Sequence, residues 1–189
     1  MNSALIVSVT QKSTDFFMDM LREAAVTHIA SACSCGEARR LLLERAFDLL
    51  IVNAPLRDES GEGLARYAAV QGGAQVILVV PSEHYDAVSA VCENDGVLTI
   101  EKPIHRAVFW SSLKLVQAAQ NRFNRIQDEN SRLRQKIEDI RIVDRAKCIL
   151  ISCLHMSEQE AHRHIEKQAM DMRTSKRAIA ESVLRIYEN

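Results

Sequence analysis

From Phe109 to Ile140 the chain contains neither proline nor glycine, and its apolar residues recur at sevenfold spacing. One set is Phe109, Val116, Phe123, Asn130 and Ile137; a second, three residues further on, is Ser112, Ala119, Ile126, Leu133 and Ile140. These are the a and d positions of a coiled coil, so one long helix must divide whatever precedes it from whatever follows. Between the stripes lie Arg, Gln, Lys and Glu, as a solvated helix face requires. The predicted dimerisation seam is Val116, Phe123, Ile126, Asn130, Leu133, Ile137 and Ile140, while Ala107–Val116 is expected to pack on the preceding domain. Asn130 at an a position is best satisfied by its own mate in a parallel two-stranded coil, and so fixes register and partner number.

Before this helix the chain alternates strand and helix patterns. Short, nearly continuous apolar runs at Ala4–Val9, Phe47–Val52, Gln75–Val80 and Gly96–Glu101, with a briefer one at Thr27–Ala30, read as strands buried on both faces. The segments Ser13–Ala25, Gly36–Arg45, Gly61–Tyr67 and Ser82–Asn94 carry helical spacing, with Ser13 or Thr14 as the expected first cap. Five strands alternating with helices predict a doubly wound parallel sheet.

The net charge of −1 is a cancellation. Residues 1–103 hold 8 Lys and Arg against 14 Asp and Glu, whereas residues 104–189 hold 16 against 11. A sign change between halves marks two modules, one able to meet a polyanion. Residues 141–189 alone, however, hold 9 basic against 7 acidic side chains, so local placement rather than gross charge must carry that reading. At 47% hydrophobic residues the chain is too apolar for disorder. No apolar run approaches the roughly 18–20 residues needed to cross a bilayer, and no signal segment is expected. Five cysteines, an odd number, are expected as free thiols in a reducing cytoplasm. His155, His162 and His164 with Cys148 and Cys153 lack metal-ligand geometry, because His162 and His164 point apart on a helix. Cys33 and Cys35, read as alternating along an extended segment, have no second pair to complete a zinc set. No metal, cofactor or catalytic arrangement is predicted.

After Ile140 the heptad falters. Ile149, Leu150 and Cys153 start a new apolar stripe, and Leu154-His155-Met156 ends the helix. Ser157 with Glu160 three residues on forms a capping box for a second helix, expected to bury Ala161, Ile165, Ala169 and Met172. Arg173-Thr174-Ser175 is the next turn. The third helix is expected to bury Ala178, Ile179, Val183 and Ile186.

Two family resemblances are carried by these residues. Phe47 to Leu56 followed by Gly61, together with Glu101-Lys102-Pro103 after the fifth strand, resembles the receiver domains of response regulators over roughly residues 1–120. That resemblance implies a flavodoxin-like fold and a phosphorylation site, from which this sequence departs. Asn53 stands where the family has its acceptor Asp, and an amide cannot form an acyl phosphate. Ser8 and Val9 replace the acidic pair that would hold a magnesium ion, Val80 replaces the hydroxyl residue of strand four, and Thr99 the aromatic switch residue. Lys102 alone survives, and is expected to pair with Asp48 or Asp58. The site is therefore read as degenerate, with regulation left to a protein or ligand acting at the receiver.

The second resemblance runs over roughly Ile140–Ile186. Asp144 to Ile151, Met156 to Ala161, Ala169-Met170-Asp171 and Ser175 to Ala180 are similar to the ANTAR domain, the RNA-binding module of transcription antitermination regulators. Cys148 and Ile151 depart from the family's usual Gly and Met. The resemblance implies binding of stem-loops in nascent RNA. Lys147, Arg173, Lys176 and Arg177 would then contact phosphates, Thr174 and Ser175 loop bases or 2′-hydroxyls, with Arg145 and the small Ala146 alongside.

The resulting expectation is a non-enzymatic, cytoplasmic homodimer with a degenerate receiver at 1–120, a coiled coil at 116–140 and a three-helix ANTAR bundle at 141–189. The rival reading is a protein–protein adaptor dimerised by its coil without RNA binding. Replacing Asn130 by Leu is expected to abolish a unique dimer in light scattering and yield mixed or higher oligomers. An unchanged single species would show that Asn130 does not set the partner number.

Overall fold

A computed structural model describes residues 1–71 and 73–187, which form two compact units divided between Arg122 and Phe123. The first alternates β1 (Ser3–Val7), α1 (Gln11–Glu23), β2 (His28–Ala32), α2 (Cys35–Glu44), β3 (Leu49–Asn53), α3 (Glu62–Val70), β4 (Gln75–Pro81), α4 (Ser82–Cys92) and β5 (Val97–Lys102), before α5 (Arg106–Leu154) begins. All strands are parallel, in the order β2-β1-β3-β4-β5. The order reverses between β1 and β3, which places the ligand-binding crevice of such a sheet beyond the ends of those two strands.

The continuous apolar runs follow from burial on both sheet faces. Leu5, Val7, Leu50, Val52, Val76 and Leu78 pack against Cys35, Ala38, Leu64 and Ala68 on one side. Ala4, Ile6, Leu49, Ile51, Ile77 and Val79 pack against Phe17, Met20, Phe109, Leu113 and Val116 on the other. Each such fully buried aliphatic side chain contributes about 1.5–3 kcal/mol relative to exposure. Phe16, Phe17 and Phe109 meet edge to face or tilted, with ring centroids 5.1 to 5.9 Å apart, and fix the start of α5 on the sheet.

Several local expectations are corrected. Thr10, not Ser13 or Thr14, precedes α1, and its hydroxyl donates to Ser13 Oγ rather than capping a backbone N–H. Ser34 caps α2, so Cys35 lies in a helical first turn and not on an extended segment. The second strand extends to Ala32, and α3 to Val70. Val116 is buried in the first unit's core and is unavailable to a dimer seam.

The second unit comprises the rest of α5, α6 (Glu158–Asp171) and α7 (Lys176–Tyr187) around Ala146, Leu150, Ala161, Ile165, Ala169, Ile179, Ala180 and Val183. His155, at φ 55°, takes the chain out of α5. Ser157 Oγ then accepts from the Glu160 N–H while Glu160 accepts from the Ser157 N–H at 2.8 Å, the reciprocal box expected. Met172 and Ile186, expected in the core, are exposed; Met172 falls at the cap of α6, and Ala180 takes the inward position on α7. The seam residues Phe123, Ile126, Leu133, Ile137 and Ile140 are each about half exposed or more in the single chain, and Asn130 is exposed beside them.

Gly61 ends the loop after β3 at φ +90°, and a Cβ there would lie 2.8 Å from Val52 Cγ1. Gly61→Ala is therefore expected to cost about 1–3 kcal/mol in chemical denaturation. A loss below about 0.5 kcal/mol would mean that the loop relaxes without cost.

Candidate functional site

The residues singled out by the sequence fall in two places. The first lies where β1 and β3 end. Ser8 follows β1 and is buried; Asn53 closes β3 and is 8% exposed. Asn53 Nδ2 donates to Ser8 Oγ at 3.0 Å, and Asn53 Oδ1 has no partner. Lys102, at the end of β5, donates to the Ala54 carbonyl at 2.5 Å, and burial pushes its amine below the ordinary lysine range. The expected pairing of Lys102 with Asp48 or Asp58 is not what forms. Asp48 accepts from the N–H groups of Asn2 and Ser3, tying β3 to the start of β1, and Asp58 accepts from those of Cys35 and Gly36 at the start of α2. Val9 is half-buried, Val80 is packed in the core, and Thr99 is buried with its hydroxyl unpartnered.

A cavity of about 350 Å³ opens here, lined by Lys12, Ser13, Phe16, Asn53, Lys102, Pro103 and Ile104. An amide, hydroxyls and ammonium groups do not fit a hard divalent cation, which requires carboxylate oxygens. Cys35, Asp58 and Glu59 bring ligand atoms within 4.8 Å of one another, but their chemistry is already engaged. Asp58 holds the start of α2, Glu59 binds Arg39, and burial raises the Cys35 thiol to about 11, so it stays protonated.

The second place is on the helical unit. Lys147 is largely covered and lies 2.8 Å from Asp144 and 3.5 Å from Glu158, with the Asp144 hydrogen bond raising its affinity for a proton. Arg177 donates to Asp139 at 2.8 Å and to Glu181 at 2.7 Å; the Arg177 hydrogen bond holds the Asp139 carboxyl below its ordinary range. Lys176 pairs with Glu166, which also meets His162 at 3.2 Å. These side chains border a groove of about 400 Å³ lined also by Ile140, Val143 and Ser175. The structure thus brings Lys147, Ser175, Lys176 and Arg177 together. Ser175 Oγ accepts from the Ala178 N–H and caps α7. Arg173, at φ 50°, and Thr174 are exposed in the turn before it. Arg145 is exposed on α5, whereas Ala146 is fully buried, so packing and not RNA contact accounts for its small size.

Sequence reasoning missed the acidic partners. Asp144 to Lys147 and Arg177 to Glu181 were legible as neighbours on a helix face. Asp139 to Arg177 spans 38 positions and is set only by how α7 packs on α5.

Residues 131–184 match the ANTAR domain family. The helical unit is an ANTAR domain. The match begins at residue 131, so that Leu133, Ile137 and Ile140 lie within both the ANTAR match and the coiled-coil stripe. Over 166 residues the chain is 25% identical to the transcriptional regulatory protein PdtaR of Mycobacterium tuberculosis (strain CDC 1551 / Oshkosh), covering 88% of this chain and 81% of that protein. Among solved structures, a CheY-like response regulator receiver domain protein from Methanospirillum hungatei JF-1 is similar with a TM-score of 0.54 and 21% identity, covering 65% of this chain and 98% of that one. The receiver domain of a signal transduction histidine kinase from Syntrophus aciditrophicus gives a TM-score of 0.54 at 23% identity, over 63% and 92%. These likenesses give the fold of the first unit. A receiver fold precedes an ANTAR domain, the architecture that the two sequence resemblances implied.

With the amide of Asn53 closing β3 and no carboxylate lining that cavity among the described residues, incubation with acetyl phosphate and Mg²⁺ is expected to leave the intact mass unchanged. A gain of one phosphoryl group would establish an acceptor elsewhere in the receiver.

Proposed function

We propose that this chain is a non-catalytic transcription antitermination regulator that binds stem-loops in nascent RNA as a homodimer, through an ANTAR domain following a receiver without a phosphoacceptor. The observation that carries this reading is the gathering of Lys147, Lys176 and Arg177 around one groove within the ANTAR match. The transcriptional role named for the mycobacterial relative supports it. Half-exposed Phe123, Ile126, Leu133 and Ile137 supply the surface for pairing with a second copy, with Asn130 in register among them.

The ion pairs that hold the cations do not oppose RNA binding strongly. Ion pairs between exposed side chains in general contribute roughly 0.2–1 kcal/mol each. The Lys176 and Arg177 pairs are the more exposed, and the largely covered Lys147 meets carboxylates that are themselves exposed. A phosphate oxygen offers the same guanidinium or ammonium an equivalent partner, and neutralising it releases condensed counterions. Phosphate contacts from Lys147, Lys176 and Arg177 would fix orientation, leaving Arg173, Thr174 and Ser175 in the exposed turn to reach unpaired bases or 2′-hydroxyls. Base stacking has little part, because Tyr187 is the single aromatic residue after Phe123.

The test is binding of a double stem-loop RNA to the full chain across a salt series. Affinity is expected to fall steeply with salt, and Lys147→Ala or Arg177→Ala to weaken binding while flattening the salt slope by about 1 each. Asp139→Asn, which releases Arg177 from a competing carboxylate, should strengthen binding instead. Absence of specific binding at moderate salt overturns the RNA reading and favours the protein–protein adaptor.

A further inference from the structure

We propose that the altered receiver pocket is a binding site for a small organic oxyanion, a carboxylate or phosphate group on an apolar body, which takes the place of phosphorylation as the input. This deepens the reading of the receiver as one without a phosphoacceptor and rests on it.

Four observations converge. Lys12 and Lys102 both line the cavity, and no carboxylate lines it among the described residues, so its electrostatics are inverted relative to a cation site. Lys102 is half-buried, and the one hydrogen bond of its amine among the described residues goes to a neutral carbonyl. A desolvated ammonium without a counter-charge is costly, and an anion relieves that cost directly. Asn53, more than nine-tenths buried, is satisfied at one end only. Its Nδ2 carries a second hydrogen beyond the one given to Ser8, available to a ligand in the cavity that Asn53 lines. Finally, α1 starts at the cavity with no acidic residue in its first turn and no side-chain cap, so its first N–H groups and its dipole also favour negative charge.

The remaining walls decide what kind of anion fits. Phe16, Pro103 and Ile104 are apolar, and offer no partner to the oxygens of a bare inorganic ion on that side. A ligand with an oxyanion head toward Lys102 and Asn53 and an apolar body toward Phe16 and Ile104 satisfies both halves. The position at the β1–β3 reversal is where parallel sheets of this kind receive ligands.

The experiment uses the full chain with benzoate, phenyl phosphate, inorganic phosphate and the neutral benzamide, read by thermal unfolding and calorimetric titration. Benzoate or phenyl phosphate is expected to raise the unfolding midpoint with concentration; benzoate alone identifies a carboxylate ligand, phenyl phosphate alone a phosphate. Inorganic phosphate should bind at least tenfold more weakly than phenyl phosphate, and benzamide not at all. Lys102→Met should lower affinity at least tenfold. Lys12→Glu, an exposed substitution that leaves the core untouched, should do likewise even if the Lys102 variant folds poorly. No shift with either organic anion, an equal shift with benzamide, or affinity retained in Lys12→Glu overturns the proposal. RNA binding and acetyl phosphate labelling on the same preparation separate the outcomes. Anion binding lost with RNA binding intact refutes only this pocket's role, whereas a phosphoryl mass gain refutes the reading beneath it.

Discussion

A strand buried on both faces has no place for a polar side chain except at its ends, and β1 from Ala4 onward and the whole of β3 are buried. That constraint determines where this receiver can do chemistry. Every residue from Ala4 to Val7 and from Leu49 to Val52 is committed to one of two cores, so polar character returns at Ser8 and Asn53, side by side at the sheet's reversal point. Asp48, just ahead of β3, holds the opposite end by accepting from Asn2 and Ser3. The hydrophobic frame depends on the strands and not on the residues at their tips, so it accommodates an amide at the end of β3.

The sheet was legible because its signal is local: continuous apolar runs of four to seven residues, separated by helical spacing. Boundaries and caps were less so. Thr10 precedes α1 without capping it, which no pattern of Ser and Thr could reveal, since Ser13, Thr14 and Thr10 are chemically alike. Val116 illustrates a different limit. It obeys the heptad as well as Phe123 does, yet it packs against the sheet, and only the tertiary fold decides which partner an apolar stripe meets. Met172 and Ile186 fail for the reason that helical periodicity drifts near an end, where the chain leaves its neighbours.

The helical head shows how charge can be present and yet quiet. Counting Lys and Arg indicated a nearly balanced segment, and the structure explains the balance: Lys147, Lys176 and Arg177 each face a carboxylate from another part of the bundle. Such pairs set the orientation of the side chains at little energetic advantage. They keep the cations ordered on one surface, and under the proposed RNA binding a phosphate would replace a carboxylate one for one. Ala146 sits behind them as packing, and its neighbours on α5 owe their direction to that buried contact.

Asn53 has a consequence for time as well as for chemistry. An aspartyl phosphate, once formed, outlasts the event that made it, so a receiver carrying one holds a record that must be erased by hydrolysis. An amide closing β3 beside Ser8 offers only hydrogen bonds. A ligand held there by hydrogen bonds and charge, as proposed, would leave as its concentration falls. Under the proposed anion binding, a receiver fold of this kind would track the present composition of its surroundings and keep no history of it.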